Sequence, residues 1–170
     1  HGEVSKLNAH PQISCNNKIA VVHNGIVENF KELKEKLKGH KFESQTDTEV
    51  IAHLIEENYK GSLLEAVCLA IKKIKGSYSI VVISEDEPDK IVGARNESPL
   101  IIGLGDGENF LASDIPAFLK YTKRVVYLND EEICLLKNDS IKIYDLNGNE
   151  KLKEETIINW DIKDAEKSGF

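Results

Sequence analysis

Residues 19–29 read Ile19-Ala20-Val21-Val22-His23-Asn24-Gly25-Ile26-Val27-Glu28-Asn29. The unbroken apolar run from Ile19 to Val22, mostly β-branched, has the character of a strand buried on both faces. It leads straight into His23-Asn24-Gly25, and a helical pattern begins a few residues later. A polar, turn-forming pair thus stands at the mouth of a rigid strand, where backbone is both fixed and accessible. Gly25 can bring its N–H close to a ligand with no side chain in the way, and Asn24 adds a carboxamide donor beside it. Two uncharged donors on stiff support are the ingredients of an oxyanion hole. They are equally the ingredients of a strand ending in an Asn-Gly turn, and these residues alone leave both readings open.

Beyond Gly25, Phe30, Leu33 and Leu37 are spaced to share one helix face, with Gly39 placed to end that helix. A short strand is expected over 41–44. Thr46-Asp47-Thr48-Glu49 has the form of a capping box ahead of Val50, Ile51, Leu54 and Ile55, so a second helix should start near Asp47. Ser62-Leu63-Leu64-Glu65 repeats the device before a third helix with Val67, Ala70, Ile71 and Ile74 inward and Gly76 closing it. From Tyr78 the pattern turns to strands: 78–83, 90–94, 100–104 and 109–112, a short helix over 115–121 with Asp114 near its cap, then 125–128, 132–136 and 140–144. Residues 1–18 read as a loop, and the charged remainder from Glu150 as an exit from the domain. Helices followed by hairpin-linked strands indicate an α+β domain with mainly antiparallel sheets. Runs such as Ile80-Val81-Val82-Ile83 call for sheets covered on both faces. Sheets sandwiched between helices satisfy both observations.

With 170 residues, 41% hydrophobic and 30% charged, the chain has the balance of one globular domain with a real core. The net charge of −7 is interspersed and contains no basic footprint, which argues against nucleic acid as a partner. No apolar run approaches a membrane span, and nothing at the start has the form of a signal peptide. Cys15, Cys68 and Cys134 are odd in number and far apart in sequence, which suggests a reducing compartment, neither a disulfide framework nor a metal motif. His10, His23, His40 and His53 show no metal-ligand spacing, so no metal is expected, and His23 beside a buried strand reads as a hydrogen-bonded structural residue. Gly103-Leu104-Gly105-Asp106-Gly107 is a hairpin turn, since no helix opens after it. A chain with no methionine that opens on His1 is expected to be an internal stretch of a longer product.

Several phrases resemble one family. They are His1-Gly2-Glu3, Asn8-Ala9-His10-Pro11, Val22-His23-Asn24-Gly25-Ile26-Val27-Glu28-Asn29, Ser44-Gln45-Thr46-Asp47-Thr48-Glu49-Val50-Ile51-Ala52-His53-Leu54, Ala94-Arg95-Asn96-Glu97-Ser98-Pro99-Leu100 and Gly107-Glu108-Asn109-Phe110-Leu111-Ala112-Ser113-Asp114. In this order they are similar to the glutaminase domain of the glutamine–fructose-6-phosphate aminotransferases, which form glucosamine 6-phosphate. The phosphoribosylpyrophosphate amidotransferases share the fold but typically carry a different phrase in place of Asn8-Ala9-His10-Pro11. The resemblance implies a class II glutamine amidotransferase with a four-layer αββα sandwich of the N-terminal-nucleophile hydrolase type, its N-terminal portion missing here.

In that family a cysteine at the mature N-terminus attacks the side-chain amide of glutamine, its own α-amine acts as base, a thioester forms, and ammonia leaves. The resemblance assigns the oxyanion hole to the carboxamide of Asn24 and the backbone N–H of Gly25, and the α-amino group of glutamine to Asp47. Asp47 could equally serve the start of its helix. His1 matches the end of a substrate-binding segment and is expected near the glutamine site. The half-reaction needs no cofactor. The nucleophile lies upstream of His1 by resemblance, so the chain alone is expected to be inactive and to expose apolar sheet faces. Residues 1–160 are expected to form a partial glutaminase domain and 161–170 to begin a linker toward an absent sugar-phosphate isomerase domain. The full-length parent is expected to be a cytoplasmic homo-oligomer. The rival readings are a non-catalytic αββα binding domain and the glutaminase domain of another class II amidotransferase.

Overall fold

The β-branched run forms a strand, but one buried on its helix-facing side alone and not on both faces. The computed structural model describes residues 2–167. In it, β1 (Gln12–Ile13), β2 (Ile19–Val27), β3 (Gly76–Ser84), β4 (Ile91–Asn96), β8 (Glu132–Leu136) and β9 (Ile141–Asp145) make a six-stranded sheet in the order β1-β2-β3-β4-β8-β9. A second sheet has four strands, β10 (Thr156–Ile157), β7 (Arg124–Tyr127), β5 (Ile101–Leu104) and β6 (Asn109–Ala112), ordered β10-β7-β5-β6. The pairings between these strands are antiparallel, as hairpin-linked segments require.

Three helices, α1 (Phe30–Lys36), α2 (Asp47–Asn58) and α3 (Leu63–Ile71), lie on one face of the large sheet. Period-two alternation sends Ile19, Val21 and Val27 of β2 and Tyr78, Ile80 and Val82 of β3 into that layer, where they meet Val50, Ile51, Leu54, Ile55, Leu63, Val67 and Ala70. Each such Val, Leu or Ile side chain, fully buried, contributes about 1.5–3 kcal/mol. The inward faces expected from helical spacing are thus the ones that pack.

Between the sheets, Leu100, Ile102, Val126 and Leu128 interdigitate with Cys134, Leu136 and Ile143. Gly93 allows this close approach, since a Cβ there would lie 2.4 Å from a methyl of Leu111. A third cluster covers the far side of the small sheet: Ile101 and Val125 pack under Ile115, Phe118, Leu119 and Ile158. The fourth layer is therefore thin, made by a 3-10 turn at Ile115–Ala117, the residues after it, and the segment leading to α4 (Ile162–Lys167). The layers run α, β, β, α.

At the β2–β3 end the large sheet is bare on its other face: Val22, Ile26 and Ile83 are 40%, 52% and 51% exposed. The apolar face expected from the sequence is present here.

Some local expectations fail for definite reasons. Residues 41–44 form no strand. The Glu49 carboxylate accepts the amides of Glu43 (2.7 Å) and Ser44 (2.6 Å) and the Ser44 hydroxyl, folding that loop over the start of α2. The same bonds take Glu49 away from a capping box, and Thr46 at the cap makes no side-chain cap bond. Gly76 opens β3 instead of closing α3. The short helix expected over 115–121 shrinks to the 3-10 turn, with the Asp114 carboxylate accepting the Ile115 amide. Residues 12–13, read as loop, pair with Ala20 and Val21. Residues 150–158, read as exit chain, dock: Thr156 and Ile157 pair with β7, Ile158 is 6% exposed, and Arg124 holds Glu155.

Candidate active site at the end of the second strand

Gly25 adopts φ +123°, and a Cβ there would lie 2.3 Å from the Ser77 carbonyl oxygen, so no other residue fits without displacing β3. Asn24 and Gly25 are both exposed. Strand alternation puts the Asn24 side chain on the bare face of the sheet with Val22 and Ile26, opposite Ser79. No described residue hydrogen-bonds to its carboxamide.

The direction of the backbone amides in β2 also alternates. Ile26 donates its N–H to Ser77 Oγ (3.2 Å) and Glu28 donates to the Lys75 carbonyl (2.8 Å), both on the β3 side. Val27 donates the other way, to Asp47 Oδ2 at 2.8 Å. Gly25 stands two residues before Val27 on this strand, and its φ of +123° takes it out of the regular alternation. Because β1 reaches only Ala20 and Val21, this stretch of edge carries no strand among the described residues. Asp47, at the first position of α2 and 4% exposed, thus stands two residues from Gly25 along an open strand edge.

A buried network holds α2 in this position. The Thr48 hydroxyl lies 3.1 Å from His23 Nδ1 and 3.1 Å from His10 Nε2, tying β2, α2 and the N-terminal loop together. Burial pushes the His23 imidazole below its ordinary pKa, opposed by the charge of Asp47, so His23 serves as a neutral hydrogen-bonding group. That agrees with the structural role read from sequence. Upstream, Gln45 donates its amide to Asn8 Oδ1 (2.9 Å), and Asn8 Nδ2 donates to the Glu3 carbonyl (2.7 Å), seating residues 2–8 beside the start of α2. His1 lies outside the described residues. Sequence reasoning missed Thr48, Gln45 and Asn8 as organisers; the phrases containing them were their only signal.

The three cysteines sit elsewhere. Cys134 is fully buried, which pushes its thiol up to about 12. Cys68 is half-buried and faces the Leu146 carbonyl at 3.6 Å. Cys15 lies in the β1–β2 turn, five strand residues or about 17 Å short of Asn24 at some 3.3 Å per residue. There it meets His40, His53 and Glu56, with candidate ligand atoms all within 4.8 Å of one another. The sequence spacing gave no hint of this gathering. No described helix is long and apolar enough to cross a membrane.

The chain is matched over residues 3–120 by the family described as "Glutamine amidotransferase domain". It is 54% identical over its whole length to the glutamine–fructose-6-phosphate aminotransferase (isomerizing) of Aquifex aeolicus, covering 29% of that protein. The enzymes of the same name from Thermotoga maritima and Thermococcus kodakarensis are 49% and 50% identical over all of this chain, with 28% and 29% of their lengths covered. The chain therefore spans under a third of the curated relatives it matches. Among solved structures it resembles the glutamine phosphoribosylpyrophosphate amidotransferase of Bacillus subtilis, with a TM-score of 0.70 and 26% identity over 88% of this chain and 34% of that one. A structure described as the allosteric regulatory enzyme of purine biosynthesis gives 0.69 and 27% over 85% and 32%.

Proposed function

The chain belongs to the glutamine amidotransferase domain family, its sandwich is of the N-terminal-nucleophile hydrolase type, and from that premise we propose that the open edge of β2 binds glutamine while its side-chain amide is hydrolysed to glutamate and ammonia. Asp47 receives the α-ammonium group of the substrate, where an opposite charge gives a charge-assisted hydrogen bond. The Gly25 N–H and the Asn24 carboxamide stabilise the oxyanion of the tetrahedral intermediates. His1, by its motif, belongs to the same substrate-binding region. The observation that carries the reading is the Asp47–Val27 bond of 2.8 Å, which fixes a carboxylate on the open strand edge two residues from Gly25.

The nucleophile in this reading is a cysteine at the mature N-terminus of a longer parent chain. Its α-amine takes the thiol proton, the thiolate attacks the amide carbon, the proton passes to the leaving ammonia, and water then releases glutamate from the thioester. The surroundings of Cys15, Cys68 and Cys134 support none of them in that role. The parent is proposed to use the ammonia to convert fructose 6-phosphate to glucosamine 6-phosphate, a reading supported by the names of relatives about half identical to this chain. Residues 161–170 then begin the path to the acceptor domain, and the parent is a cytoplasmic homo-oligomer. The phosphoribosylpyrophosphate branch has weaker support, at 26–27% identity. Glutamate release by the parent enzyme, by this chain alone, and by this chain with the upstream segment added in trans tests the proposal. Activity in the first and third only is expected; turnover by the isolated chain would contradict the external nucleophile.

A further inference from the structure

The second gathering of polar groups has a different chemistry. Cys15 Sγ lies 3.4 Å from His53 Nδ1 and 3.6 Å from His40 Nδ1, and His40 Nδ1 lies 3.1 Å from Glu56 Oε1. With zinc bonds of about 2.3 Å to sulfur and 2.0–2.1 Å to nitrogen or oxygen, the edges of a tetrahedron are about 3.5 Å for S···N and about 3.3 Å for N···O. The three close separations match those edges. All four ligand atoms lie within 4.8 Å of one another, so the remaining pairs reach the tetrahedral edge lengths by closing up to about 1.5 Å.

The supporting features are those of a metal centre. His53 and Glu56 are three residues apart on α2 and project from one face. His53 is 1% exposed, and its other ring nitrogen, Nε2, lies 3.2 Å from Glu49 Oε1. A carboxylate accepting from Nε2–H leaves the Nδ1 lone pair aimed at Cys15, the orientation that metal-binding histidines obtain from their outer partners. Glu49 is itself fixed by the amides of Glu43 and Ser44. The Asn16 amide approaches Glu56 Oε2 at 3.4 Å. A cleft of about 180 Å³ lined by Cys15, Lys41, Glu43 and His53 gives an entry path, and the Lys41 ammonium turns to Glu43 at 3.5 Å. One thiolate, two imidazoles and one carboxylate form a mixed S/N/O set that suits Zn²⁺.

We propose that Cys15, His40, His53 and Glu56 bind a structural Zn²⁺ that staples the β1–β2 turn and the α1–α2 loop to α2. Four protein ligands complete the tetrahedron, so the centre is closed and holds no activated water. It is separate from the glutamine site and stands or falls independently of the glutaminase reading.

Purified chain titrated with Zn²⁺ should take up one ion per molecule. At about 100 times the Kd, the metal should raise Tm by about 5–10 °C. Co²⁺ in place of zinc should give the intense visible bands of a tetrahedral ion and a sulfur-to-cobalt charge-transfer band. Cys15→Ser, at an exposed position, should abolish the charge-transfer band and weaken affinity at least about 100-fold, and His40→Ala should weaken it comparably. Glu49→Gln should weaken it about 10–100-fold while retaining the sulfur band. Cys68→Ser should leave all readouts unchanged. The proposal is overturned by the absence of stoichiometric uptake at micromolar metal, by octahedral cobalt spectra, or by a sulfur band that survives Cys15→Ser.

Discussion

The two ends of β2 are both governed by α2, yet they are built on different logic. At the Gly25 end, the groups come from one contiguous phrase plus the first residue of the helix, and the decisive parts are backbone: a positive φ, the Val27 amide that holds Asp47 and an open strand edge. At the Cys15 end, four side chains arrive from three separate segments and no backbone group leads. The first kind of site needs particular residues at fixed spacing and therefore writes itself into the sequence. The second needs only that tertiary packing bring suitable side chains together, and it leaves no local pattern.

The sharpest way to break that contrast is at the glycine. Gly25→Ala places a Cβ against the Ser77 carbonyl and a side chain at φ +123°, and should destabilise the chain by about 3–5 kcal/mol from strain and overlap together. A loss of unfolding free energy, from urea titration, of less than a quarter of that would show that β3 yields easily and that the glycine is not dictated by the backbone. Next in size, Ile158→Ala should cost about 2–4 kcal/mol through loss of packing under the small sheet. A change within about 0.5 kcal/mol would mean that residues 150–158 merely rest on the fold. Asp47→Ala should cost about 1–3 kcal/mol by leaving the Val27 amide without its acceptor. In the parent enzyme the same change should raise KM for glutamine. Unchanged KM alongside lost stability would confine Asp47 to the helix start.

The smallest expected effect is a pH slope. Burial holds the folded pKa of His23 below its unfolded value of about 6.5. The unfolded chain therefore binds the extra proton as pH falls from about 6.5 toward the folded pKa, and the folded state loses stability across that window. Urea midpoints between pH 7 and pH 5 should fall less steeply in His23→Gln than in the unaltered chain. Identical slopes would show that His23 accepts its proton in place.

Most of the architecture was readable because burial follows period. Val50, Ile51, Leu54 and Ile55 announce the inward face of α2, and Ile80 and Val82 that of β3, whereas Ile83 of the same run is left 51% exposed. What escaped was decided by competition among polar groups. Glu49 has the spacing of a capping residue, yet its carboxylate is taken by the Glu43 and Ser44 amides, which also removes the strand expected over 41–44. Burial alone would raise the pKa of Glu49; the Ser44 hydroxyl and those amides outweigh it and hold it low. The charged stretch after Glu150 reads as solvated chain, but Arg124 and the hydrophobic anchor Ile158 draw it onto the sheet. Asn24, Gly25 and Asp47 were legible as residues, while the shared edge that unites Gly25 with Asp47 exists only once β1 stops at Val21.

Asn24→Ala in the parent enzyme tests the central claim most directly, because the side chain is exposed and its removal should alter stability by no more than about 0.5 kcal/mol. Loss of one oxyanion donor should lower kcat for glutamate release about 10²–10³-fold with KM for glutamine nearly unchanged. A kcat within a few-fold of the unaltered enzyme would remove the carboxamide from the chemistry and reduce Asn24-Gly25 to a strand ending in a turn.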